Sequence, residues 1–207
     1  RAAACAAARD EGGRALDADT HVAVGAGEAA FRGVGGVVRA VGLVMAGDAP
    51  NAFVAMRPPG HHAERETPMG FCFFGNVAIA AKHALDHHGL SRVAIVDFDV
   101  HHGNGTQDLV EDDPRILFCS THQMPLYPGT GAAHETGVGN VLNCPLSDGA
   151  GSKSFRDVMA QVVLPRVDAF APEILSISSG SEAHKDDPLT SMNLGCGHFT
   201  VLLLLAS

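Results

Sequence analysis

Twelve histidines stand in a chain of 207 residues, and eight of them fall between His61 and His122. Histidine titrates near neutral pH and is the usual nitrogen ligand of metals, so this crowding points to proton transfer or metal binding. Adjacent pairs occur at His61–His62, His87–His88 and His101–His102. Asp99 and His101 stand two apart. On an extended segment such residues face one side, so a carboxylate and an imidazole can reach one metal. Oxygen plus nitrogen ligation without thiolate suits Zn²⁺, Fe²⁺ or Mn²⁺. Taken singly, Asp99 reads as a turn cap and His101 as an ordinary loop residue; the acids and histidines around them favour the metal. A catalytic zinc takes three protein ligands and keeps its fourth position open, and Glu182 is the candidate third.

His61 and His62 follow the turn Pro58-Pro59-Gly60, where they could orient and deprotonate a water. Each then needs a partner on its other ring nitrogen, and Asp97 and Asn104 flank the Asp99–His101 pair. A carboxylate partner makes its histidine more basic. An amide partner leaves its histidine nearer neutral, suited to act as base and then as acid. His87–His88 precedes Gly89 at a helix end and reads as a solvent-facing pair.

These residues need a scaffold. Residues 27–47 predict a helix of small residues, weakened by Gly33, Gly35 and Gly36. Asn76–His88 predicts a helix with Gly89 as its C-cap, and Ser152–Phe170 one that Pro165 kinks or shortens. Continuous apolar runs at Arg92–Phe98, Arg115–Ser120 and Glu173–Ser178 predict strands buried on both faces, with shorter strands at Asn51–Met56 and Val141–Leu146. Strands alternating with helices indicate an α/β fold, a mainly parallel central sheet with helices on both faces. Ligands in such sheets sit beyond the carboxyl ends of the strands. Arg57–His62, Asp97–Asn104, Ser120–His122 and Ser179–Asp187 each follow one of the predicted strands, so four strand ends converge on one edge.

Composition narrows the field. Hydrophobic residues make up 46% and charged residues 18%, which supports a buried core and excludes disorder. The formal charge of -9 argues against direct nucleic-acid binding but suits cationic substrates. Five scattered cysteines without a CxxC pair fit a reducing compartment rather than a disulfide framework. No apolar run approaches the roughly 20 residues of a membrane span, and no signal peptide is evident, so a cytoplasmic location is expected, or a nuclear one if the source is eukaryotic.

Arg57–His62 (RPPGHH), Met69–Phe74 (MGFCFF), Asp97–Gln107 (DFDVHHGNGTQ), Tyr127–Gly131 (YPGTG) and Gly180–Leu189 (GSEAHKDDPL) resemble the histone deacetylase superfamily. The similarity is greatest to class II and bacterial members, which include acetoin-utilisation proteins and acetylpolyamine amidohydrolases. It covers about residues 16–194, with the motifs in family order. The resemblance implies the arginase/deacetylase fold and a zinc-dependent amidohydrolase that removes acetyl groups from amines. Acetyl-lysine of proteins is the leading substrate and acetylpolyamine the alternative. By position, Asp99, His101 and Glu182 match ligands of one Zn²⁺ per chain. His62 matches the general base and acid, His61 its electrostatic neighbour, and Asp97 and Asn104 their partners. Gly70, Phe71 and Tyr127 match walls of a narrow substrate tunnel. Backbone atoms around Asp97, Asp99, His101 and Ser120 match a monovalent cation site, usually potassium.

Three departures qualify the match. The family pattern has Asp where Glu182 stands. Gly75 stands where Asn is common. The family's later strands and its oxyanion-donating Tyr have no counterpart; the single Tyr, Tyr127, matches the tunnel wall. The chain opens on Arg, and residues 195–207 depart from the family. The expectation is therefore one incomplete domain over 1–207, truncated at both ends. An inactive binding or regulatory module is the rival reading. A binuclear manganese hydrolase of arginase type would need Asp at Gly103. Oligomeric state is not legible.

Overall fold

The computed structural model describes residues 13–188 and 190–195. The Ala-rich start and the divergent tail beyond Gly195 lie outside the described residues. The chain divides into two compact units. One holds the chain up to Leu90 together with Asn104–Val110; the other holds Ser91–Gly103 and the chain from Glu111 onward.

In the first unit a short antiparallel ladder, β1 (Arg14–Ala15) and β2 (His21–Val22), precedes helices α1 (Ala26–Met45), α2 (Asn76–His88) and α3 (Asn104–Val110). Gly27, Ala30, Gly33, Val37 and Val41 of α1 recur every three or four residues and form its buried stripe. α1 also packs on α2, and tertiary burial overrides the weak propensity of its glycines. The expected C-cap of α2 is present: Gly89 has φ 74°, and its N–H donates to the Leu85 carbonyl.

Asn51–Met56 is not a strand. The segment joins no ladder and runs irregularly along α1. A Cβ on Gly33 would lie 3.0 Å from Met56 Sδ, and one on Gly36 would lie 3.2 Å from Val54 Cγ1. Val54 and Met56 pack on this small-residue face of α1 rather than on a sheet edge, while Phe53 stands exposed. Arg57–His62 therefore follows a loop, and three of the four expected strand ends remain.

The second unit is built on a parallel sheet: β3 (Val93–Asp97), β4 (Ile116–Gln123), β5 (Val141–Leu146) and β6 (Ile174–Ser178), in the spatial order β5-β4-β3-β6. Every residue of β3 and β4 is buried, as their continuous apolar runs require. β6 is an edge strand among the described residues and is half-buried throughout. Between β5 and β6 the chain forms α4 (Ser152–Val158), a π-helical turn (Met159–Val163) and α5 (Leu164–Phe170). The π turn is the kink that Pro165 predicts. A proline ring crowds the carbonyl four residues earlier, and here the Leu164 N–H reaches back five residues to the Met159 carbonyl. Phe155, Met159, Val163 and Val167 of this helical stretch close the core against Val96, Phe98, Leu117 and Cys119.

Register aligns the carboxyl ends of the strands. Asp97 pairs with Ser120 on one side and Ser178 on the other. β3, β4 and β5 proceed outward in chain order, and β6 then returns to the opposite flank of β3. The strand order thus reverses between β3 and β6, the point where open parallel sheets form ligand crevices.

His122, near the end of β4, is fully buried. Its Nε2 donates to the Gly131 carbonyl at 2.9 Å, and its Nδ1 lies 3.0 Å from Ser120 Oγ. Burial, followed by the nearby His102, lowers its pKa from 6.5 to about 4. The folded state therefore resists a proton that the unfolded chain accepts. The resulting stability is complete above pH 6.5 and is lost as pH falls toward 4, a change on the order of 3 kcal/mol. Urea unfolding of the wild type should show this decline over pH 6.5–4, and His122→Gln should flatten it. An unchanged slope in the variant would assign the decline to other groups.

Candidate active site

The loop after β3 carries Asp97, Asp99 and His101. Asp97 is fully buried, and its Oδ1 accepts the Asp99 N–H at 3.1 Å, which turns the chain sharply off the strand end. Asp99 is 8% exposed. Its Oδ1 accepts the His101 N–H at 2.8 Å and lies 3.0 Å from His101 Nδ1. The i, i+2 pair is thus brought together, as its spacing predicts.

The loop after β6 delivers the third acid to the same place. A Cβ on Gly180 would collide with Asp99 Oδ2 and crowd Glu182 Oε2, so only glycine lets these carboxylates approach across the strand-order reversal. Glu182 Oε2 is buried without a hydrogen-bond partner. Burial first, then the charge of Asp99, raises the Glu182 pKa above the usual carboxylate range. Two carboxylates and an imidazole, with one carboxylate oxygen left unpartnered, suit a cation with oxygen and nitrogen ligands. Asp99 touches both of the other residues. Asp99, His101 and Glu182 are not a trio whose ligand atoms all lie within 4.8 Å of one another; among the described residues only His83, His87 and His88 are. The longer Glu side chain in place of Asp is the feature that separates this set from the family pattern.

Gly103 offers nothing to a second metal. A Cβ there would lie 2.6 Å from Asp97 Oδ2, so the space a further ligand would need is already taken. In the same unit Tyr127 is 39% exposed, with its ring edge-on to His101 at a centroid distance of 6.2 Å. Ser120 is buried beside Asp97 in the ladder. Burial pushes the Cys119 thiol up to about 12 and raises Cys144 as well, which disfavours the thiolate at both.

The histidine pair lies in the other unit. His61 and His62 sit with ring centroids 4.0 Å apart. The Thr106 N–H, on α3, donates to the His61 carbonyl at 3.0 Å, which ties the pair to that helix. His62 is 5% exposed. Its Nδ1 lies 2.8 Å from Asn104 Oδ1. The Asn104 amide nitrogen donates to Glu64 Oε1 at 2.6 Å, which fixes the orientation of the amide. Its oxygen therefore faces His62, and an oxygen can only accept. His62 must carry a proton on Nδ1, so Nε2 is the acceptor nitrogen of the neutral ring. Asn104 is thus the partner of His62, as expected, while Asp97 belongs to the other unit.

Gly70 has φ 55°, and a Cβ there would overlap the His62 ring. Phe71 follows with φ 62°, a conformation costing a bulky residue about 1–3 kcal/mol. Its N–H donates to Thr20 Oγ1 at 3.1 Å, and its side chain stands 63% exposed. Sequence reasoning missed Glu64, which orients Asn104, and Thr20, which holds Phe71. Both contacts join distant stretches, and Glu64 carries a local signal only in standing two residues after His62.

With this geometry in hand, comparisons place the chain among known proteins. The profile described as the histone deacetylase domain matches residues 2–203, a wider span than the motifs. The chain is 50% identical over 157 residues to "Histone deacetylase 10, chloroplastic" of Oryza sativa subsp. japonica, covering 74% of this chain and 35% of that protein. The crystal structure of the HDA15 HD domain superposes with a TM-score of 0.95 at 34% identity, covering 99% of this chain and 61% of that one. Acetylpolyamine aminohydrolase from Burkholderia pseudomallei gives 0.85 at 32% identity, covering 90% and 55%. The chain spans between 35% and 60% of the length of the curated relatives it matches first.

Gly180→Ala tests the approach of the carboxylates. The added methyl should lower stability by about 1–3 kcal/mol, read as the loss in urea unfolding free energy. A fully stable Ala variant would show that Asp99 and Glu182 do not meet over Gly180.

Proposed function

This chain belongs to the histone deacetylase family of deacetylases and amidohydrolases, and from that premise we propose that it hydrolyses N-acetylated amines, with acetyl-lysine of proteins as the first substrate class. The observation that carries this reading is the fixed tautomer of His62. Its Nδ1–H is held at 2.8 Å by Asn104 Oδ1, and Nε2 is left to accept a proton. On this reading His62 acts as the general base through Nε2, and His61 is its electrostatic neighbour.

In this reaction Nε2 of His62 takes a proton from water as the water oxygen adds to the acetyl carbon. The bond from that carbon to the amine nitrogen then breaks. His62 gives its proton to the leaving nitrogen, so acetate and free amine are released with no covalent enzyme intermediate. Asp99, His101 and Glu182 would hold one Zn²⁺, which when bound polarises the acetyl carbonyl and lowers the pKa of water toward about 7. The unpartnered oxygen of Glu182 supports that assignment. A potassium ion on backbone atoms around Asp97, Asp99, His101 and Ser120 belongs to the same reading. Gly70, Phe71 and Tyr127 would line the path of the linear acyl-amine chain; the exposed rings of Phe71 and Tyr127 are suited to its methylenes. Acetylpolyamine is the alternative substrate, which the likeness to the aminohydrolase keeps in play.

The test is zinc-dependent acetate release from an acetyl-lysine peptide and, in parallel, from an acetylpolyamine. His62→Ala should lower kcat by about 10²–10⁴ while zinc content stays unchanged. If the folded, zinc-loaded chain and its Glu182→Asp variant both release no acetate from either substrate, the rival holds and the chain is a non-catalytic module.

A further inference from the structure

The pair expected to face solvent, His87–His88, is part of a trio. His83, His87 and His88 lie on the last turns of α2, and one ligand atom from each falls within 4.8 Å of the others. The rings of His83 and His87 stack at a centroid distance of 4.7 Å, and His88 stands edge-on to both, at 5.0 and 4.9 Å. His87 is exposed, whereas His83 and His88 are half-buried. His88 Nε2 is fully buried and has no hydrogen-bond partner. Three imidazoles packed face and edge, with a buried polar nitrogen left bare, are a poor arrangement for surface side chains without an occupant. Val38 of α1 together with Ile79, Lys82, His83, Asp86 and His87 lines a shallow depression over this group.

We propose that His83, His87 and His88 form a second metal site, distinct from the proposed catalytic ligands, for a divalent transition ion of the zinc class. The spacing supports it: histidines four apart on a helix share one face, the arrangement by which helical zinc sites present two ligands. Three neutral nitrogens without a carboxylate select zinc, nickel or copper over calcium or magnesium. Nitrogens bonded to one tetrahedral ion at about 2.0–2.1 Å sit roughly 3.3 Å apart, so closing from within 4.8 Å takes only small side-chain rotations. A positive ion at the carboxyl end of α2 also complements the unpaired carbonyls there. Lys82 and Asp86, of opposite charge, are the charged neighbours in the depression. The ion would pin the last turn of α2, leaving one open position toward solvent.

The test is the zinc content of the whole chain, stripped with chelator and then re-equilibrated with Zn²⁺. The wild type should hold one more zinc than His83→Gln/His87→Gln, whose residual affinity at this site should fall at least about 100-fold. Asp99→Ala should retain this zinc, which separates the site from the proposed catalytic one. Equal zinc content in the wild type and the double variant overturns the proposal. So that misfolding of the variant cannot decide the matter, the wild type alone gives a second reading. On zinc titration, ring-nitrogen NMR signals of His83, His87 and His88 should shift together. Shifts confined to other histidines overturn the proposal equally.

Discussion

Asp99 and Glu182 approach each other because one glycine, Gly180, leaves no side chain between them. Two carboxylates brought together in a half-buried place repel, and the raised pKa of Glu182 registers that repulsion alongside the cost of burial. Such an arrangement persists when a cation or a proton neutralises it. The sheet dictates where this happens. β6 returns to the far flank of β3, and the loops leaving these two strands carry the two acids to the reversal point. Buried aliphatic strands, an aligned register and a kinked helix closing the core all serve to hold those two loop starts in place.

The histidine half rests on a different device. Asn104 is both held and holding: Glu64 fixes its amide nitrogen, so its oxygen faces His62 and settles the tautomer. No charge is needed on either partner. An amide acceptor keeps the imidazole nearer neutral than a carboxylate would, which suits a group that must first take a proton and later return it. The backbone of Gly70 lies against the His62 ring, so the base has little freedom to leave its bond.

Much of this was legible in the sequence, and the physics explains the boundary. The buried strands announce themselves as unbroken apolar runs at Val93–Asp97 and Ile116–Gln123, because strands covered on both faces need no alternation. Gly89 and Pro165 mark a helix end and a helix defect through backbone constraints that no context removes. Asp99 and His101 are two apart on one loop, so their contact is local. Asn51–Met56 was misread because an apolar segment on a helix face and an apolar strand look alike over six residues. Glu64 and Thr20 were invisible because their partners lie far along the chain. The His83 cluster escaped because His83 lies one helical turn before the conspicuous pair, and only the folded helix brings the three rings together.

The close approach of Asp99 to Glu182 calls for a cation, and one metal ion held by Asp99, His101 and Glu182 would supply it. Zinc titration into the stripped wild type, Asp99→Asn and Glu182→Gln is the deciding measurement. Each variant should lose one zinc equivalent that the wild type binds, with affinity reduced about 100-fold. Zinc binding of the same affinity and stoichiometry in all three proteins would contradict it.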